Sequence, residues 1–309
     1  MPVRICSLLP SATEMVGALG LLDALVGVSA ECDFPAAARG KPVVTGARVD
    51  TSSLGSLVID AAVREALKEG RSLYAIDEEL IGRLAPDLIL TQDLCTVCAV
   101  SSGEVALCGV EVETMVLDAH TIEEICDCVR ALGARLGVAD RAAEVVRAMR
   151  EKVAGVEAAV AGAVAAAAPP AVGSGSAAGP ARLPRVFVAE WLEPPFAAGH
   201  WVPEMVTAAG GVEVLGRAGQ PSYPTTWAAV RAARPDLVVL APCGFDAERA
   251  AEEAGLVPEL GCRVVAVDAN AYYSRPAPRV ADGVVQLAHF LYPEAVADPG
   301  LPFVELRPA

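Results

Sequence analysis

Leu84-Ala85-Pro86-Asp87-Leu88-Ile89-Leu90 recurs 149 residues later as Ala233-Arg234-Pro235-Asp236-Leu237-Val238-Val239. Each stretch ends an amphipathic helical pattern and opens an apolar run. Proline cannot continue the preceding helix and pushes the residue before it toward extended backbone, so Ala-Pro-Asp and Arg-Pro-Asp mark helix-to-strand joints. The repeat implies two copies of one αβ lobe, and a cleft between two such lobes is the expected place for a ligand.

The segments around the first joint alternate between strand and helix patterns. Val3–Leu9, Ala24–Val28, Leu88–Thr91 and Val112–Leu117 read as strands, and Ser11–Leu19, Leu57–Lys68, Glu78–Leu84 and Thr121–Leu136 as helices. Around the second joint, Arg185–Glu190, Leu237–Ala241 and Arg263–Val267 read as strands. Val202–Ala208, Thr226–Ala233, Asp246–Ala254 and Pro278–Leu291 read as helices. Strands separated by helices imply parallel sheets covered on both faces. Residues 140–165 show no strand signal and are dense in Ala, Glu, Val and Arg, the composition of one long helix. At 1.5 Å per residue it would span about 39 Å, enough to cross two lobes. Residues 166–184 are Ala, Pro, Gly and Ser, cannot form a core, and are expected to be a flexible insertion. The expected organisation is an N-terminal lobe over 1–138, a connecting helix over 139–165, the insertion over 166–184 and a C-terminal lobe over 185–309.

With 309 residues and 54% hydrophobic content the chain can bury a large core, and its net charge of −15 argues against nucleic-acid binding, which needs a basic surface. No run of about 20 apolar residues suggests a transmembrane helix. The apolar run Ile5–Leu9 is broken by Pro10, and Ser11-Ala12-Thr13-Glu14 reads as a capping box, so the start reads as domain and not as a secretory signal. A cytoplasmic setting follows, in which nine cysteines are thiols or metal ligands sooner than disulfides.

Three segments could carry chemistry. Pro194-Pro195-Phe196-Ala197-Ala198-Gly199-His200-Trp201 follows a strand, so it belongs at the carboxyl edge of a sheet, where α/β proteins bind ligands. Trp191, Phe196 and Trp201 cluster there in a chain with only 5% aromatics; a plain hydrophobic plug is the bland alternative. Asn270-Ala271-Tyr272-Tyr273-Ser274-Arg275-Pro276-Ala277-Pro278-Arg279 belongs at the same edge, and its two tyrosines and two arginines suit a flat, partly polar ligand; a helix-entry loop with Arg279 bonded to the interior is the alternative. Cys95-Thr96-Val97-Cys98 stands beyond the strand Leu88–Thr91, a setting for redox dithiols and soft-metal ligands, although two sulfurs would need help from Cys32, Cys108 or His200. Asp33 is read as capping the next turn, and His120 and His289 as structural. No G-x-S-x-G, Walker loop, H-E-x-x-H or G-x-G-x-x-G is present.

Taken together, Ser7-Leu8-Leu9-Pro10-Ser11-Ala12-Thr13-Glu14, the paired Pro-Asp-Leu joints, Pro194-Pro195-Phe196 with Gly199, and Tyr273-Ser274-Arg275-Pro276-Ala277-Pro278-Arg279 resemble the iron-siderophore and cobalamin type of periplasmic binding protein. That family supplies the substrate-binding component of ABC importers, and the resemblance points to its cobalamin-binding branch. It implies a class III α/β architecture, two Rossmann-like lobes with parallel sheets joined by a single backbone helix, and a monomer holding its ligand between the lobes without catalysis. It also implies an acidic residue on each lobe that docks to permease arginines. The repeat places these positions at Glu79 and Ala228, so one docking acid is absent.

The resulting expectation is a binding protein for cobalamin, a related corrinoid or a similar metal chelate. Tyr74, Trp191, Phe196, Trp201, Tyr272 and Tyr273 would form aromatic walls, with Arg275 beside them. Ser11, Thr13 and Gln92 would orient the ligand, and His200 would be an axial ligand to its metal. Two other readings stay open from the residues: a cytosolic thiol- or metal-dependent enzyme using Cys95 and Cys98, and an ion chaperone in which Cys95, Cys98 and His200 hold a metal.

Overall fold

The computed structural model describes residues 3–48, 54–69, 73–94, 100–107, 111–167 and 182–306. They fall into two compact units. The first contains residues 1–119, 123–147 and 275–278, and the second 120–122, 148–274 and 279–309.

In the first unit the chain runs through β1 (Ile5–Ser7), α1 (Pro10–Ala18), β2 (Leu25–Ser29), β3 (Val43–Ala47), α2 (Ser56–Lys68), β4 (Tyr74–Ile76), α3 (Glu78–Leu84), β5 (Leu88–Thr91), α4 (Ser102–Leu107), β6 (Glu113–Val116) and α5 (Ile122–Arg135). The six strands form one sheet in the order β4-β3-β2-β1-β5-β6. β1 is central and parallel to both neighbours, with Ile5 opposite Leu25 on one side and Leu88 on the other. Ile5, Cys6, Leu88, Ile89 and Leu90 are fully buried, as strands covered on both faces require.

The 29-residue helix α6 (Ala139–Ala167) follows without a break; residues 139–147 group with the first unit and 148–167 with the second. The expected insertion falls largely on residues 168–181, which lie outside the described residues.

The second unit contains β7 (Arg185–Leu192), β8 (Pro195–Ala197), α7 (Val202–Ala208), β9 (Val212–Glu213), β10 (Tyr223–Pro224), α8 (Trp227–Ala233), β11 (Leu237–Leu240), α9 (Ala247–Glu252), β12 (Arg263–Val267), α10 (Ala269–Tyr272), α11 (Val280–Leu291) and β13 (Phe303–Leu306). Its sheet has the order β10-β8-β7-β11-β12-β13, with β9 also paired to β7. β7, β11 and β12 are parallel, and every residue of Leu237–Leu240 is buried.

Neither sheet is wholly parallel, which corrects the expectation. β4 runs antiparallel to β3, β8 to β7, β10 to β8, and β13 to β12. These strands sit toward the sheet edges, where a hairpin or a returning chain can pair without a crossover helix. The capping-box reading is corrected too. α1 starts at Pro10, behind an extended Leu9 that makes no side-chain cap, so Ser11 lies inside the helix and is buried. Proline at the first helical position needs no N–H partner, so a capping hydroxyl would have one donor fewer to serve.

The two Pro-Asp joints have the same atomic plan. Asp77 caps α3 by accepting from Leu80 N, and Thr226 caps α8 by accepting from Ala229 N. Both helices end on a non-glycine residue in the left-handed region, Ala85 at φ 41° and Arg234 at φ 48°. Asp87 Oδ2 accepts from the backbone N–H of Arg4 at 2.8 Å, and Asp236 Oδ2 from that of Arg185 at 2.7 Å. The Arg4 side chain donates to the carbonyls of Leu84 and Ala85, and that of Arg185 to those of Ala233 and Arg234. An arginine at the start of each lobe's central strand thus satisfies the helix-end carbonyls that have no partner within the helix.

Candidate functional site

The carboxyl edge of the second sheet is built on β7. That strand runs beyond the expected Glu190 to Leu192 and folds back as β8, pairing Trp191 with Phe196 and Ala189 with Ala197. The chain then reaches Gly199 and His200, which are clamped from the facing loop. His200 N donates to Gln220 O at 2.7 Å, and Gly219 N donates to His200 O at 2.9 Å. A Cβ on Gly199 would stand 2.3 Å from Gln220 O and 2.4 Å from Ser222 N, so only glycine permits this approach. His200 itself has φ 50°, a left-handed backbone that histidine adopts more readily than most residues. The two flanking bonds hold it there, so the imidazole is presented by a fixed backbone.

His200 stands against a second imidazole. Its Nδ1 is 3.3 Å from Nδ1 of His120, with ring centroids 5.3 Å apart and planes tilted by 44°. Both residues belong to the second unit, since residues 120–122 group with it, and Glu204 on α7 anchors this short segment by accepting from Ile122 N at 2.8 Å. On its other side His200 stacks on Trp201, whose Nε1 donates to Tyr273 O at 2.8 Å. Burial lowers the His200 pKa from the usual histidine range, and the charge His120 would bear lowers it further. The ring is therefore neutral near pH 7, the form that offers a lone pair to a metal.

The expected aromatic walls separate into two groups. Trp191, Phe196 and Tyr272 are half-buried. Trp191 packs edge-on against Phe245, over which the Arg249 guanidinium lies at 3.7 Å, and the Arg279 guanidinium lies 5.3 Å from the Tyr272 ring. Tyr273 and Trp201 are buried. Tyr273 is 1% exposed with its hydroxyl donating to Gln286, and Trp201 is 4% exposed. They support the edge from beneath because each large ring has a polar group that finds an interior partner.

In the first unit, Ser11, Thr13 and Gln92 are buried. Thr13 donates to Ser7 Oγ at 2.8 Å and lies 3.0 Å from Cys32 Sγ. Burial raises the Cys32 thiol pKa against these hydroxyl contacts, so it stays protonated and unreactive. Tyr74 is on the edge strand β4 and packs on the core cluster of Cys6, Leu8, Val44, Ile81, Ile89, Val100 and Val105. Arg275, 6% exposed, pairs with Asp33 and donates to Glu31 O at 3.2 Å, so it fastens residues 275–278 to the first unit. Asp33, expected as a turn cap, is also an ion-pair partner. Glu79 is exposed in the first turn of α3, paired with Arg83, and Ala228 is exposed at the matching position of α8. Cys95, Cys98 and Cys108 lie outside the described residues.

Sequence reasoning missed His120, read as isolated and structural, together with Glu204 and Phe245. The available signal for His120 was its place just after strand β6, at a carboxyl edge. Among the described residues no cluster of three or more His, Cys, Asp or Glu could hold a metal ion, and no helix is long and apolar enough to cross a membrane.

Residues 5–257 match the family model described as "Periplasmic binding protein", and the chain belongs to that family. No curated protein matches the chain. Among solved structures it is similar to a periplasmic heme binding protein from Pseudomonas aeruginosa, at TM-score 0.72 and 20% identity over 100% of both chains. It is similar also to the periplasmic vitamin B12 binding protein BtuF of Vibrio cholerae, at TM-score 0.64 and 22% identity over 93% of this chain and 96% of that one. A third is an ABC transporter substrate-binding protein from Listeria monocytogenes, at TM-score 0.66 and 17% identity over 95% and 100%. The fold is therefore the two-lobed α/β fold typical of class III binding proteins, and the chain is a binding protein of this family, not an enzyme. The cytoplasmic expectation is corrected by the same finding: the matching family and these heme and B12 binders are periplasmic.

Proposed function

We propose that this chain is the substrate-binding component of an ABC importer and that its ligand is a metal chelate, namely a corrinoid such as cobalamin or a similar metal-bearing macrocycle. The observation that carries this reading is His200, a neutral imidazole on a clamped left-handed backbone with half-buried aromatic rings at the same sheet edge. Its Nε2, the nitrogen turned from His120, would be the axial donor to the chelated metal, and Trp191, Phe196 and Tyr272 would meet the macrocycle. The heme and B12 ligands of the similar structures support a planar chelate of this kind. The helix α6 would act as the stiff connector that limits hinge motion, and Glu79 would dock to the permease, with Ala228 leaving the second contact without a charge.

Titration with cobalamin, cobinamide and haem, followed by absorbance and calorimetry, tests this. At least one should bind with one site per chain and a shifted metal-centred band, and His200→Ala should weaken it roughly tenfold or more. Absence of binding to all three at tens of micromolar would overturn the chelate reading.

A further inference from the structure

The spacing of the two imidazoles matches a coordination edge. Two nitrogens bound to one tetrahedral zinc at 2.0–2.1 Å lie about 3.3 Å apart. The Nδ1 atoms of His120 and His200 are 3.3 Å apart. The same separation also admits a weak N–H···N hydrogen bond, which the metal titration distinguishes from coordination. That bond would require one ring to carry its proton on Nδ1. A planar four-nitrogen macrocycle leaves open only positions on opposite faces of its metal, so two nitrogens this close cannot both ligate a corrinoid or porphyrin metal.

From this juxtaposition we propose that His120 and His200 form a two-histidine site for a divalent transition-metal ion, bound through both Nδ1 atoms with its remaining positions open. Imidazole suits zinc, copper, nickel and iron and discriminates against calcium and magnesium. The rings are held from outside the contact: His200 by its backbone bonds to residues 219–220 and its stacking on Trp201, and the His120 segment by Glu204. A metal bound by two protein donors keeps at least two adjacent sites for water or an exogenous ligand, so the site fits either the bare aqua ion or a complex with two exchangeable neighbouring positions. The inference goes beyond the chelate reading and does not rest on it, because that reading uses Nε2 of His200 and this one uses Nδ1 of both rings.

The test is calorimetric titration of the full chain with Zn(II) and Co(II) in the absence of any chelate, with the Co(II) absorption spectrum as a second readout. The expected result is one equivalent of metal and a tetrahedral Co(II) spectrum without a thiolate charge-transfer band. Affinity should fall roughly tenfold or more in His120→Ala and in His200→Ala, since even groups that only orient a ligand cost that much. His289→Ala should bind like the parent, because the His289 ring lies at Val296 O, away from the pair. Should either variant fail to fold, nitrogen NMR of the unaltered protein decides the matter: zinc must move the Nδ1 resonances of His120 and His200 together and leave His289 in place. No binding, unchanged affinity in the two variants, or a thiolate band abolished by Cys95→Ser with Cys98→Ser would each overturn the proposal. Chelate titrations on the same samples fail or succeed independently.

Discussion

The two Pro-Asp joints are nearly superimposable in their chemistry, whereas the strands they support lead to different ends. At both joints an N-cap side chain starts the helix, a left-handed residue ends it, an aspartate accepts from the next lobe-strand backbone, and an arginine covers the carbonyls. Beyond this shared frame, β1 is three residues long and passes through Leu9 directly into α1. β7 is eight residues long, folds back as β8, and delivers His200 into a clamped loop. The frame repeats because it solves a problem common to both copies, the helix end that must turn into a buried strand. The chemistry sits where the copies differ, and that difference can be tested by substitutions on each side of it.

The largest effect is expected in the loop that has no counterpart in the first unit. Gly199→Ala forces a methyl group against backbone atoms of Gln220, Pro221 and Ser222, at 2.3–2.6 Å, none of which can swing aside like a side chain. A loss of about 3 kcal/mol is expected in urea unfolding, with the His200 site disrupted. Gly46→Ala on β3, where nothing lies within 4 Å of the added Cβ, should be close to neutral. Equal costs would mean that the clamp around His200 is no tighter than an open strand.

A second difference is electrostatic. Glu213 on β9 tucks beneath the same loop, accepting from the backbone N–H groups of Val188, Leu215 and Gly216 at 3.0–3.1 Å. Burial outweighs these bonds and pushes its pKa up to about 7, so the folded unit keeps a proton that the unfolded chain releases near its ordinary value of 4.5. Between those values the native state binds more protons than the unfolded state, and stability falls as pH rises through the window. The loss should be at most about 3–4 kcal/mol and complete above pH 7, because one pKa unit corresponds to about 1.4 kcal/mol. Glu213→Gln should flatten this slope. His200 acts with the opposite sign, its lowered pKa costing stability as pH falls below the ordinary histidine value, so the two groups separate in a pH series of unfolding curves.

What was legible in the sequence follows the same division. Prolines, helix periodicity and mostly apolar strands are local signals, and they located both joints, the long helix and the parallel strands β1, β2, β5, β6, β7, β11 and β12. The strands that escaped are β3, β4, β8, β9, β10 and β13; most of them are only partly buried and lack the continuous apolar run of β1, β5 and β11, so no local pattern announces them. Ring environment escaped as well. Tyr272 and Tyr273 are adjacent in sequence, yet one lies near an arginine at the half-buried edge and the other reaches Gln286 in the core. The His120–His200 contact joins residues 80 positions apart, and nothing in either local segment names the other.

The smallest effects come from the shared frame, where the comparison predicts equality. Ala85 and Arg234 occupy the left-handed position that usually belongs to glycine at a helix end, at φ 41° and 48°. A Cβ in that conformation costs roughly 1–2 kcal/mol, while replacing it with glycine enlarges the unfolded ensemble by somewhat less. Ala85→Gly and Arg234→Gly should therefore each raise stability by about 0.5–1 kcal/mol, read as a shift in the urea midpoint at unchanged slope. The carbonyls of both residues accept from the capping arginines, so neither substitution removes a bond of the joint. Gains of the same size at both positions would establish that the two copies store the same strain in the same turn. A gain at Ala85 with a loss at Arg234 would show that the Arg234 side chain supports its lobe through contacts the first joint lacks, and the joints would then be equivalent in backbone only.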